Sequence, residues 1–435
     1  MIILTLKYFK SEELLKRARK VTPLGAQTYS KSFRYFCEGI SPSFIEKGEG
    51  CRVWDVDGNE FIDFICALGP VTVGYNNKQI NEAIINQLNK GISFSQSTKV
   101  EVELAEKLNQ IIPCAEMVRF VKNGSDATTS AIRLARAYTG RDIVALSGYH
   151  GMHDWSIGST ANNRGVPKPI CDLTKTFNYN DITSLKKLFD EYKDKIAAVI
   201  LEPIQGNGPE EGYLQAIREI TSKNGAVLIF DEVVSGFRYA LGGAAELYNV
   251  VPDMVAMGKG MGNGMPISVV AGKREIMELI EEGVFVSTTF GGETLSIVAA
   301  LETIKILEKP NVYEGIWKLG NKMLNGLNNI ISDKKVSDVV FTSGLAPHAG
   351  VQFEGKGSLD YLDINSIFQQ RMIQEGIMSI GINNLNLSHS EKEIELYLNA
   401  AELALDDIQR AIEKDSTAGI LKGGKVNPVF KRNIK

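Results

Sequence analysis

A chain of 435 residues carries about two to three domains' worth of sequence, and its composition, 44% hydrophobic and 23% charged, suits a globular protein with a large core. The formal net charge of −4 gives no electrostatic reason to expect a nucleic-acid or anionic-membrane partner. The five cysteines (Cys37, Cys51, Cys66, Cys114, Cys171) are scattered, odd in number and form no CxxC pair, which points to reduced thiols in a cytoplasmic protein. Of the four histidines only His150 and His153 lie close together, too few ligands for a site, and no metal is expected.

In chain order, the first seven residues hold an apolar stretch too short for a secretion signal, and no later run approaches the length of a membrane span. A charged helix is expected over 11–20, stopped by Pro23-Leu24-Gly25. Arg52 to Phe64 reads as a hairpin about an Asp57-Gly58 turn. From Asn77 onward strand-like and helical runs alternate. Strands are expected at 117–121, 143–146, 198–201, 226–230, 254–257 and 267–271, with amphipathic helices such as 127–138 and 182–192 between them. Such alternation predicts an α/β fold on a mostly parallel sheet. After Glu302 the texture changes to a long helix, a few strands around 339–353 and closing helices near 391–412. The expected organisation is an N-terminal segment 1–76 packing with a small domain, a large domain 77–302 and a C-terminal small domain 303–435. The basic stretch 419–435 has little apolar periodicity and reads as a frayed tail.

Four stretches carry chemistry. Lys259 follows an apolar run and is flanked by Gly258 and Gly260. An ammonium held there is poorly hydrated, so its pKa falls and the free amine becomes available as a Schiff-base nucleophile. Asp231 closes the apolar run 226–230, where an ionised carboxylate needs a facing cation, and the protonated ring nitrogen of pyridoxal phosphate is one such cation. Each feature alone also fits a blander role, a loop anchor for the aspartate and a solvated turn for the lysine. Between Val121 and Ala127 the pattern is strand, tight turn, helix, and Gly124 with Ser125 stands where free amides and the helix dipole favour an anion, though an ordinary helix cap reads the same way. Neither a Walker pattern nor a dinucleotide fingerprint is present. Tyr149, after a short apolar run, offers a ring to stack on a planar cofactor or to fill a core.

The order of these motifs resembles the class III (fold type I) pyridoxal-phosphate aminotransferases, and within them the glutamate-1-semialdehyde aminomutase group. The resemblance rests on Trp54-Asp55-Val56-Asp57-Gly58, Asn123-Gly124-Ser125-Asp126-Ala127, Tyr149-His150-Gly151, Glu202-Pro203-Ile204-Gln205-Gly206-Asn207, Phe230 to Arg238 and Gly258-Lys259. It implies that Lys259 carries pyridoxal 5'-phosphate as a Schiff base, that Asp231 holds the pyridinium proton, and that Val233 and Tyr149 flank the ring. It further implies that Gly124 and Ser125 bind the phosphate, that Asn207 lies by the ring hydroxyl, and that Thr289 reaches the phosphate of the neighbouring subunit in an obligate homodimer. Three positions depart from the aminomutase pattern. Gln27-Thr28-Tyr29-Ser30-Lys31 stands where that enzyme has a carboxylate-binding arginine, which places Tyr29 and Lys31 as substrate contacts. Leu68 replaces a tryptophan and Glu293 an asparagine. The expected activity is therefore intermolecular amino transfer from an amino acid to a small aldehyde or keto acceptor, with a family association to carbohydrate or cell-surface metabolism. Glutamate-1-semialdehyde aminomutase activity is the alternative. A non-catalytic binding protein on this fold would have lost Lys259 or Asp231, and both are present.

Overall fold

The computed structural model describes residues 6–428. They form two compact units: one holds Gly69–Thr72 and Lys78–Tyr313, the other the residues up to Leu68, Val73–Asn77 and those from Glu314 onward.

The first unit is built on a seven-stranded sheet. Its strands in chain order are β1 (Met117–Val121), β2 (Ile143–Ser147), β3 (Thr174–Thr176), β4 (Ile196–Leu201), β5 (Val227–Glu232), β6 (Met254–Met257) and β7 (Ser268–Gly272). Their order across the sheet is β1-β7-β6-β5-β4-β2-β3, with β7 antiparallel to both its neighbours and every other pair parallel. Every residue of β2, β4, β5, β6 and β7 is buried. That explains why these strands read as continuous apolar runs with no alternation, as expected for a sheet covered on both faces. Those five were legible from that signal, and β1, only partly buried and interrupted by Arg119, was legible as well. β3 was not, because Thr174-Lys175-Thr176 is short and polar.

The other unit contains a second sheet. Ile45–Glu49, Arg52–Asp55 and Glu60–Asp63 pair antiparallel in sequence order, and Ile377–Met378 joins Glu60–Asp63 in parallel. The hairpin turns through Asp57-Gly58, where Gly58 has φ +88° and Asp55 Oδ1 accepts the amides of Asp57 and Asn59. A separate hairpin joins Val340–Leu345 to His348–Phe353, and helices Tyr361–Gln374 and Glu391–Lys414 pack together, bridged by Arg371 Nε to Asp407 Oδ2 at 2.6 Å.

The frayed-tail expectation is wrong for residues 419–428, while 429–435 lie outside the described residues. Ile420 and Val426 are buried, and Val426 packs with Cys37 and Leu362. The amides of Gly424 and Asn427 donate to the carbonyls of Glu38 and Arg34 at 2.9 and 2.8 Å. Isolated apolar residues in a polar stretch show no periodicity, yet Ile420 and Val426 are buried and several of the segment's amides find acceptors. Among the described residues no helix is long and apolar enough to cross a membrane, and no cluster of three metal-ligating side chains occurs.

Candidate active site

Because β7 runs against both β1 and β6, strands β1, β2, β4, β5 and β6 all point the same way and their carboxyl ends share one edge of the sheet. That edge is where open α/β sheets bind ligands. It carries the Lys122–Ser125 turn after β1, Gly148–Gly151 after β2, Glu202 after β4, Asp231 and Glu232 ending β5, and Lys259 after β6.

Asn123 caps helix Gly124–Thr139 in a reciprocal capping box with Asp126, and Gly140 ends the helix in a left-handed conformation (φ +65°). Asn123 accepts from later amides of the first turn, while the amides of Gly124 and Ser125 have no acceptor among the described residues. The helix start is thus left with free donors at its positive end. Gly124 is constrained by its neighbour, since a β carbon there would stand 2.8 Å from both γ carbons of Val233. Gly151 (φ +105°) is required in the same way, because a side chain would collide with Ser125, whose hydroxyl accepts from the Met152 amide at 3.1 Å.

Asp231 is buried, with Oδ1 accepting the Val233 amide at 3.1 Å and Oδ2 lying 2.7 Å from His150 Nδ1. The other ring nitrogen of His150 faces the Ser147 carbonyl at 3.1 Å, which can only accept. Each ring nitrogen of His150 thus faces an oxygen, one of Asp231 and one of Ser147. Trp155 stacks beside His150, with centroids 6.3 Å apart at 10°.

Lys259 has intermediate exposure and φ +34°. Its ammonium makes no hydrogen bond or ion pair to a described residue, though Glu202 and Asp231 are near enough to act on it. Burial lowers its pKa, the charge of Arg238 adds to this, and the two carboxylates oppose it. Burial likewise raises the Glu202 carboxyl, reinforced by Asp231 and opposed by His150, the Tyr149 amide and Lys259. Both groups are pushed toward their neutral forms. Glu202 Oε1 accepts the Tyr149 amide at 3.0 Å and so fixes the backbone that carries that ring.

The sequence-derived residues Gly124, Ser125, Tyr149, Asp231, Val233 and Lys259 thus gather at one sheet edge. Tyr149 is half exposed. Asn207 is exposed on the loop after Glu202. Thr289 is exposed on the loop before helix Thr294–Leu307 and makes no side-chain hydrogen bond to a described residue. Tyr29 and Lys31 belong to the other compact unit, exposed on a single-turn helix. Sequence reasoning assigned no role to His150 or Glu202, although both lie inside motifs it singled out. The signal was present for Glu202, which closes an apolar strand just as Asp231 does. Glu293 also has a partner that only the fold shows: it caps helix Thr294–Leu307 and pairs with Lys122 at 3.0 Å.

Residues 37–386 match the family model for class-III aminotransferases. The chain belongs to that family. A 3-aminobutyryl-CoA aminotransferase from Cloacimonas acidaminovorans is 41% identical over 76% of this chain and 81% of its own length. A glutamate-1-semialdehyde 2,1-aminomutase from Methanococcoides burtonii is 37% identical over 90% of this chain and 97% of its own. The FumI protein of a Sphingopyxis species, solved in its PLP internal aldimine form, superposes with a TM-score of 0.85 at 26% identity, covering 93% of this chain and 98% of that one. This class-III aminotransferase therefore has the fold type I architecture, and its cofactor is pyridoxal 5'-phosphate. The residues present fit that group: free amides at a helix start suit a phosphate, a buried carboxylate suits a ring cation, and an unpaired amine of lowered pKa suits an aldehyde.

Proposed function

We propose that this class-III aminotransferase moves an amino group from an amino-acid donor to a small aldehyde or keto acceptor, with Lys259 and Asp231 as its catalytic pair. The observation that carries this reading is the shared sheet edge on which Lys259, Asp231 and the free Gly124 and Ser125 amides stand together. Bound pyridoxal phosphate supplies an electron sink for negative charge at the donor's α carbon.

In this reading the Gly124 and Ser125 amides hold the phosphate, while Val233 and the Tyr149 ring confine the two ring faces. Asp231 holds a proton on the ring nitrogen, and His150 keeps that carboxylate oriented by donating to Oδ2. Lys259, once its amine is free, would take the donor's α proton as general base and hold it for return to the cofactor. Burial lowers the pKa of Lys259 and so favours the neutral amine. Asn207 serves the ring hydroxyl, while Tyr29 and Lys31 meet the substrate's far end as a hydroxyl and a point charge in place of an arginine fork.

A homodimer in which Thr289 serves the neighbouring phosphate is part of the proposal. Phe285 and Phe290 flank that loop and are 74% and 58% exposed, an apolar surface that suits a second copy of the chain. The five free cysteines suit a reducing cytoplasm.

Aminomutase chemistry is the second reading, favoured by the long, even similarity to glutamate-1-semialdehyde aminomutases. The test loads the protein with pyridoxamine phosphate and follows the visible band as acceptors are offered. Glutamate semialdehyde, 3-oxoacyl thioesters and keto sugars come first, with 3-aminobutyryl-CoA among the donors because of the relative that bears its name. Conversion of glutamate semialdehyde to 5-aminolevulinate with no second amino donor would replace intermolecular transfer by the aminomutase reading.

A further inference from the structure

The turn that carries Lys259 is strained and is held from outside. Lys259 and Asn263, at either end of it, both adopt left-handed backbone, with φ +34° and +45°. Such a conformation costs a side-chain-bearing residue about 1 kcal/mol or more and persists only where surrounding contacts impose it. The turn is a short 3-10 helix, Lys259–Gly262, entered by the Met261 amide donating to the Gly258 carbonyl at 2.9 Å.

The outside contacts come from the short segment Gly69–Thr72, which is distant in sequence and packs into this unit. Thr72 is buried and touches the turn in three ways. Its amide donates to Asn263 Oδ1 at 3.0 Å, its hydroxyl donates to the Gly260 carbonyl at 2.9 Å, and its γ methyl sits where a β carbon on Gly260 would come within 2.8 Å. Three residues earlier, the Gly69 carbonyl accepts from Nη2 of Arg238, the same arginine whose charge acts on Lys259. One threonine therefore grips the residue next to Lys259 and the far end of its turn.

We propose that Thr72 is a positioning residue for Lys259: through its hydroxyl and amide it imposes the strained turn that presents the ε-amine to the cofactor at a fixed angle. This rests on the reading of Lys259 as the cofactor lysine. A lysine held by a rigid turn would present its amine in one orientation, and relaxing the turn would change the proton affinity of its linkage to the cofactor. The expected readout is thus spectroscopic and independent of the unidentified substrate.

The experiment compares holoenzyme variants by pH titration of the visible band of the lysine-bound cofactor and by the rate at which hydroxylamine releases the lysine. Thr72→Val keeps the methyl contact and loses the hydroxyl, and Thr72→Ser keeps the hydroxyl. We expect Thr72→Val to move the titration midpoint by about half a pH unit or more and Thr72→Ser to restore it. A smaller shift, or one that Thr72→Ser shares, overturns the proposal. If Thr72→Val does not retain cofactor, Asn263→Gly supplies the same readout, since it removes the accepting side chain while tolerating the left-handed backbone. Borohydride reduction and peptide mapping of the wild type separates the two levels. A tag on Lys259 with an unmoved midpoint overturns the role of Thr72 alone, whereas a tag on another lysine overturns both readings.

Discussion

His150 Nδ1 lies 2.7 Å from Asp231 Oδ2, and the ring's other nitrogen is taken by the Ser147 carbonyl, so the imidazole has one orientation and the carboxylate one donor that depends on it. Replacing His150 by Leu leaves the buried carboxylate short of that donor, a loss of about 1–3 kcal/mol, or about 10- to 100-fold in rate. Asp231→Asn removes the charge itself and costs about 100- to 1000-fold. Stopped-flow measurement of the donor half-reaction ranks the two, and a His150→Leu enzyme as fast as wild type would show that the contact is structural only.

If Lys259 is the base, as proposed, its freed amine must be neutral to accept a proton, and the half-reaction rate is expected to rise with pH through a limb set below the ordinary lysine value of 10.5. Glu202 is one of the two carboxylates that hold this pKa up against burial. Glu202→Gln therefore shifts the limb to lower pH. A pH–rate profile that moves the other way contradicts the assignment of Lys259 as base.

A methyl group on Gly124 would press on both γ carbons of Val233 at 2.8 Å. Overpacking of this kind costs about 1–3 kcal/mol, and the expected outcome for Gly124→Ala is about a 10- to 100-fold weaker hold on pyridoxal phosphate. Val233→Ala in the same chain frees the space and recovers part of the loss. Equilibrium dialysis of the single and double variants measures the coupling, and strictly additive effects would mean that the two residues do not meet.

Glu293 caps its helix and pairs with Lys122, each with less than one-fifth of the side chain exposed. Burial opposes ionisation of Glu293, but hydrogen bonds from Ser296 and Lys122 outweigh it and hold the carboxyl below its ordinary 4.5. A depressed acid stabilises the fold at pH above the unfolded value and loses that contribution as pH falls through the folded one. Glu293→Ala is thus expected to lower stability by about 1–3 kcal/mol at neutral pH, with the gap to wild type closing on acidification in denaturant melts. A gap that widens toward acid would exclude the ion pair as its source.

Much of this molecule could be read in advance, for identifiable reasons. Five strands of the central sheet are buried on both faces, so they stand out as apolar runs, and the catalytic candidates sit just where those runs stop at Asp231 and Lys259. What escaped depends on contacts between distant segments. His150 is adjacent to Tyr149 in sequence, but its link to Asp231 crosses from β2 to β5. Lys122 and Glu293 are far apart in the chain and become partners only through the fold, as do Thr72 and Asn263. The polar strand β3 and the tail failed for the opposite reason: their sequences lack periodicity, and their order comes from what they lie against.

Ending the chain after Ala418 removes buried Ile420 and Val426, each worth about 1.5–3 kcal/mol on full burial. The truncated protein is expected to melt at lower temperature, and an unchanged melting curve would show the tail to be dispensable.

The same tail is hydrogen-bonded to Arg34 and Glu38, a few residues beyond Tyr29 and Lys31. Whatever the front of the polypeptide does in choosing a substrate, its footing is supplied by the very back. On the proposed role of Tyr29 and Lys31, edits around Val426 are expected to alter substrate preference without touching Lys259 or Asp231, and directed evolution confined to the sheet edge would overlook them.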